Sequence, residues 1–194
     1  MRIAIISDTH DNLANLKKAI SFIEKEKIKL ILHCGDIFKP ETLKEGLKGY
    51  QGKIYVIFSE ADASFSKIPQ DSFNDLLKSK PRSKNFYLKK VLGRSPVVNE
   101  VLLRGKVFEK SGQIKIGGKK IAFCHFPEIA RNLAESQKYD LVFYGHTHKP
   151  WEEKVGKTRL VNPGNIAGIL FRPTFAIYDT KTDKLNLRIL DKIV

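Results

Sequence analysis

The first sixty residues alternate between short unbroken apolar runs and stretches in which apolar positions recur every three or four residues. Residues 2–7, RIAIIS, are such a run and end in polar residues. Residues 13–27, LANLKKAISFIEKEK, then place Leu13, Leu16, Ala19, Ile20 and Ile23 on one helical face. A second run, IKLILH at 28–33, reads as a buried strand. Pro40 opens a helix expected to reach about Lys48, and KIYVIF at 53–58 follows the breakers Gly49 and Gly52 as a third strand. Strand, helix, strand, helix, strand predicts parallel strands joined by right-handed crossovers.

From residue 113 the pattern changes. QIKIGGKKIAFCH (113–125) predicts a hairpin turning at Gly117-Gly118. PEIARNLAESQKY (127–139) predicts a helix and DLVFYG (140–145) a strand. KTRLVNPG and TFAIYDTKTDKLNLRIL, with a polar turn at 180–184, predict antiparallel strands near the C-terminus. The stretch 63–110 is punctuated by Pro69, Pro81 and Pro96. A short helix is expected around 70–79 and an extended pair about Gly105.

Composition narrows the class. A chain of 194 residues, 42% apolar and 29% charged, is sized for one globular core, so a single domain over 1–194 is expected. No run approaches a membrane span and no secretory leader is recognisable, so the expected location is cytoplasmic, without membrane association. Cys34 and Cys124 end apolar runs and read as reduced core thiols. The net charge of +14 leaves nucleic acid open as a partner but does not favour it, because the basic residues are dispersed. They are densest in the 63–110 segment (Lys84, Lys89, Lys90, Arg94, Arg104), which is expected to border the site and recruit an anion. A homo-oligomer is equally open.

The chemistry-bearing residues collect at the predicted strand ends. Asp8 and His10 follow the first strand, Asp36 the second, Glu60 and Asp62 the third, and His125 the strand after the hairpin. His146 and His148 stand one residue apart where the run from Leu141 breaks at Gly145. In open sheets, loops at the carboxyl ends of strands converge on one crevice. Carboxylates with imidazoles suit Mn²⁺, Fe²⁺, Zn²⁺ or Ni²⁺, and the donors are too many for one ion, which points to a pair of divalent metals. His33, inside its strand, reads instead as a hydrogen-bonded structural residue.

These residues fall into five ordered motifs: SDTH (7–10), GD (35–36), CH (124–125), GHTH (145–148) and NPGN (162–165). In this the sequence resembles the calcineurin-like metallophosphoesterase superfamily, and most closely its small single-domain bacterial and archaeal phosphodiesterase branch. The resemblance implies an α/β fold, a four-layer α-β-β-α sandwich of two central mixed sheets flanked by helices. It also assigns Asp8, His10 and His148 to one metal, His125 and His146 to the second, and Asp36 to the bridge between them.

One motif departs from the family. Where Gly-Asn-x-Asp is usual, this chain has Ser59, Glu60, Ala61 and Asp62. Glu60 can replace the asparagine oxygen at the second metal, but it adds a negative charge that raises the pKa of bound water. Ala61 removes an imidazole that serves larger members as an acid, which leaves protonation of the leaving group to water, to His10, or to the leaving group's own stability. The expected function is hydrolysis of a small phosphate ester, a diester in preference to a monoester. A hydroxide on two divalent ions would attack in line, Mn²⁺ being first among candidates that include Ni²⁺, Fe²⁺, Zn²⁺ and Mg²⁺. The alternative is a non-catalytic metal-binding scaffold or protein-interaction module on the same fold.

Overall fold

The computed structural model describes residues 1–57, 105–108 and 110–193. Among these residues eleven strands form two sheets. The larger holds β1 (Arg2–Ile6), β2 (Leu30–His33), β3 (Lys53–Ile57), β4 (Gly105–Phe108), β10 (Thr174–Asp179) and β11 (Lys184–Ile189), in the order β11-β10-β1-β2-β3-β4. The smaller holds β5 (Ser111–Ile116), β6 (Lys119–Cys124), β7 (Leu141–Phe143), β8 (Trp151–Val155) and β9 (Thr158–Asn162), in the order β5-β6-β7-β9-β8. Strands β1 to β4 run parallel, and β10 returns antiparallel to β1. In the smaller sheet β6, β7 and β9 are parallel, with β5 and β8 antiparallel at the edges. Both sheets are therefore mixed.

Period-two alternation within the strands builds the layers. Ala4 and Ile6 of β1 face outward, packing with Leu16, Ala19, Ile20 and Ile23 of helix α1 (Leu13–Lys25) and with Leu43 of α2 (Pro40–Gly46). Ile3 and Ile5 face inward, meeting Ile121, Phe123, Leu141 and Phe143 of the second sheet. On the far side of that sheet Ala122, Cys124 and Val142 pack under Ala130 and Ala134 of α3 (Pro127–Glu135). Strands covered on both faces must be apolar throughout, which explains the unbroken runs. Each fully buried Ile, Leu or Phe contributes roughly 1.5–3 kcal/mol.

The helices stop earlier than the periodicity predicts. After α1, Lys27 adopts φ 56°, its N–H bonds to Glu24 O, and Ile28 N–H bonds to Ile23 O. This is a Schellman stop without the usual glycine, so the sequence carries no punctuation for it. After α3, Gln137 also turns to φ 56°, its N–H bonds to Ala134 O, and its side chain reaches Ala134 O, Val155 O and Lys157 N. The helix expected through Tyr139 consequently ends at Glu135.

The predicted hairpin is present, with Gly117 and Gly118 at φ 56° and 79°, the sign a two-residue primed turn requires. Gly105 is not a turn. It pairs with Ile54 as the first residue of a parallel strand, where an added Cβ would lie 1.6 Å from Ile54 O. Strand β9 is antiparallel to β8 but parallel to β7, so the expectation of antiparallel strands holds on one side only. The helix expected at 70–79, Glu60, Asp62 and most of the basic segment lie outside the described residues. Among those described, no helix is long and apolar enough to cross a membrane.

Candidate metal centre

The carboxyl ends of β1, β2, β6, β7 and β9 meet at one edge of the sandwich, and backbone hydrogen bonds lace their loops together. Asp8 N–H donates to Gly35 O, Thr9 and His10 N–H to Asp36 O, and Asp11 N–H to Ile37 O, which prolongs the β1–β2 pairing past both strands. Gly145 N–H reaches His125 O, while Ile166 and Ala167 N–H reach Ser7 O and Asp8 O. Helix α1 is capped by Asn12, whose side chain accepts from Asn15 N–H at 3.1 Å, leaving Asp8 to face the crevice.

Five of the six metal-ligand positions assigned by resemblance have left-handed backbones: Asp8 (φ 52°), His10 (42°), Asp36 (63°), His146 (70°) and His148 (59°). Asp and His tolerate this region better than most residues, yet each such position costs on the order of 1 kcal/mol or more. Concentrated at three loops, the strain turns the chain sharply and brings side chains from separate strands together. Donor atoms of Asp8, His10, Asp36 and His148 all lie within 4.8 Å of one another. His10 Nε2 is 3.2 Å from Asp36 Oδ2 and 3.0 Å from His148 Nε2, which in turn is 3.4 Å from Asp8 Oδ1.

The other two histidines lie beside this group. Their rings meet edge to face at 5.3 Å, and Phe126 flanks both, 4.8 Å from His125 and 5.1 Å from His146. His125 is buried and His146 exposed. Gly145 joins the two groups: a Cβ there would fall 2.6 Å from Asp8 Oδ2 and 3.2 Å from His125 Nδ1.

Hydrogen bonds on the far ring nitrogens set the tautomers. His148 Nδ1 faces Ile169 O at 3.3 Å and His125 Nδ1 faces Cys34 O at 3.1 Å. A carbonyl only accepts, so in the neutral ring each Nδ1 carries the proton and each Nε2 keeps its lone pair. An imidazole whose other N–H donates to a backbone carbonyl is the arrangement found at metal sites. His33 differs as expected: Nδ1 accepts from Gly35 N–H at 3.1 Å, and Nε2 contacts Thr9 Oγ1 at 2.8 Å. Both of its nitrogens are used inside the protein.

Burial is the largest single influence on Asp8 and pushes its carboxyl upward. The approach of His148, the nearby His125 and the Ser7 hydroxyl together outweigh it, holding the group below the usual carboxylate range. The same Asp8 contact raises His148 above the ordinary imidazole range against the effect of burial. Burial raises both thiols, Cys124 to about 12, which agrees with their reading as inert core residues. The donor set is thus two carboxylates and two imidazoles, without thiolate, and it fits a divalent cation of intermediate hardness.

Asn162 and Asn165, the two ends of the NPGN motif, hold the GHTH loop. Asn162 donates to Gly145 O and Thr147 Oγ1, both at 2.9 Å, and accepts from Gly164 N–H at 2.8 Å. Asn165 donates to His148 O at 3.1 Å and accepts from Gly168 and Ile169 N–H. Both are buried, at 1% and 0% exposure. Their spacing around a Pro-Gly turn was the available signal; their partners were not legible in the sequence. Asn162→Ala is expected to destabilise the protein by about 1–3 kcal/mol, since it strands Gly145 O and Gly164 N–H in a dry interior. Urea unfolding measures this, and an unchanged midpoint would mean that water replaces the amide.

The calcineurin-like phosphoesterase superfamily domain matches residues 1–183 of this chain. The phosphodiesterase MJ0936 of Methanocaldococcus jannaschii is 26% identical over 194 residues, covering 98% of this chain and 100% of the relative. The solved structure of a novel archaeal phosphodiesterase superposes with a TM-score of 0.74 at 25% identity, covering 97% of this chain and 99% of that one. Vps29 from Entamoeba histolytica, solved with Zn²⁺, shares the fold at a TM-score of 0.55 and 18% identity, covering 96% and 90%.

Proposed function

The chain belongs to the calcineurin-like phosphoesterase superfamily, and on that footing we propose that it is a divalent-metal-dependent phosphoesterase acting on a small phosphodiester. The observation that carries this reading is the convergence of Asp8, His10, Asp36 and His148 donors within 4.8 Å, with the lone pair of His148 turned inward by its bond to Ile169 O. Asp8, His10 and His148 would hold one ion, His125 and His146 a second, and Asp36 would lie between them. Glu60 is the remaining donor in this scheme, and Mn²⁺ the first candidate. Cations held there would supply Lewis-acid polarisation of the phosphoryl oxygens and of the attacking water.

The protein's own residues hold and orient. Both Asp8 oxygens accept from His146 N–H, at 3.0 and 3.2 Å, so a ligand of the first ion fixes the backbone of a ligand of the second. His10 Nε2 is turned to Asp36 and His148, which leaves protonation of the departing alkoxide to water and favours esters with stable leaving groups. The charge of Glu60 favours a monoanionic diester over a dianionic monoester. Hydrolysis of bis(p-nitrophenyl) phosphate by Mn²⁺-loaded protein, abolished by chelation and restored by metal, is the expected result. Tight metal binding without turnover would establish the scaffold reading instead.

Protons and metal compete for His148 Nε2. Because His148 holds its proton to a higher pH than the ordinary 6.5, metal affinity should be full above that raised value. Below it, affinity should fall by roughly tenfold per pH unit as the imidazole protonates. Calorimetric titration of Mn²⁺ between pH 8 and 5.5 measures this, and a flat profile across that range would exclude His148 as a ligand.

A further inference from the structure

Six large apolar side chains stand exposed among the described residues, and three of them are consecutive: Ile169 (44%), Leu170 (86%) and Phe171 (40%). Their loop is held firmly. Asn165 Oδ1 accepts from Gly168 and Ile169 N–H, Phe171 N–H donates to Ile169 O at 2.8 Å, and the Asn12 and Asn15 side chains bind Ala167 O and Ile166 O. Leu170 is fixed at φ 64°, a region that leucine rarely enters. A fold that strains a leucine backbone to leave its side chain in water has an apolar surface to explain.

The loop's position suggests its use. Ile169 O is the acceptor that orients His148, so the lip begins one hydrogen bond from a donor of the metal centre. Three side chains are far too little surface for a stable protein partner, which needs about 800 Å² a side, but enough to cover one small apolar group. We propose that Ile169, Leu170 and Phe171 form an apolar lip on the His148 side of the centre that receives an aromatic or otherwise apolar substituent of the phosphoester. The lip would select among phosphodiesters by their substituent, and it rests on the reading of the centre as a phosphoester site.

Titration of Mn²⁺-loaded protein with the monoanionic methylphenylphosphinate and dimethylphosphinate, followed by calorimetry, tests this without turnover. Wild type should favour the phenyl compound on the order of tenfold, the worth of burying one apolar side chain or ring face. Leu170→Asn keeps a residue that accepts positive φ, so the loop should persist while most of that preference is lost; Leu170→Met should retain it. Equal affinity for the two probes in wild type, or an undiminished preference in Leu170→Asn, overturns the lip while leaving the phosphoester site standing. Failure of wild type to bind either phosphinate overturns that underlying reading and the lip with it.

Discussion

Asp36→Asn is expected to lower phosphodiester hydrolysis on the order of 10³-fold at saturating Mn²⁺, with little change in the unfolding midpoint of the metal-free protein. Asparagine has nearly the same shape, and Asp36 is 7% exposed with its Oδ2 on His10, so packing should survive. What disappears is the charge that would lie between two cations. Lewis-acid stabilisation of a phosphoryl transition state is worth several kcal/mol, and each 1.4 kcal/mol is about tenfold in rate. The thermal shift produced by Mn²⁺ should shrink in parallel, because that shift reports ligand binding to the native state. A variant that retains both its rate within about fivefold and its full Mn²⁺ shift would remove Asp36 from the bridge.

Gly145→Ala is expected to have the second-largest effect, through stability and the site together. An added Cβ would fall 2.0 Å from Ser7 Oγ and 2.6 Å from Asp8 Oδ2. Ser7 and Asp8 are both fully buried, and Asp8 is held by His146 N–H. One side or the other must move. Overpacking of this kind costs about 1–3 kcal/mol or more. Any displacement of Asp8 also carries the His146 backbone, so Mn²⁺ affinity should fall as well. Urea unfolding and metal titration of the one variant separate the two effects. Wild-type values in both would mean that the loops part freely, contrary to their lacing by backbone bonds.

How legible the protein is from its sequence depends on what kind of fact is read. The β1-α1-β2-α2-β3 order and the Gly117-Gly118 turn were legible because they rest on local periodicity and on glycine's freedom at positive φ. Strand β8, WEEKV, was missed because it is a polar edge strand with three of its five residues exposed, Trp151 and Glu152 in succession. The pairing of β9 with β7 was misjudged because strand direction is a tertiary property that adjacent turns do not encode. At the candidate centre, the meeting of Asp8, His10, Asp36 and His148 was readable from their places at strand ends. The backbone strain was not, nor were the Asn162 and Asn165 clasps, since both depend on which loops meet. Glu60 remains where the sequence alone left it, as an expected donor.

The placement of β1 bears on how the chain can be made. Met1 N lies 3.4 Å from Asp179 Oδ1 across 178 positions of sequence, and β1 is flanked by β2 on one side and β10 on the other. During synthesis β1 therefore waits until Thr174–Asp179 has been made before its second neighbour exists. Until then Ile3, Ile5 and their backbone present an open, apolar strand edge, the surface on which nascent chains pair with the wrong partner. Translation that stalls before Thr174 would release a chain with its β1 edge uncovered. Recovery of soluble protein should accordingly depend more on the β10–β11 hairpin than on any residue of the candidate metal centre.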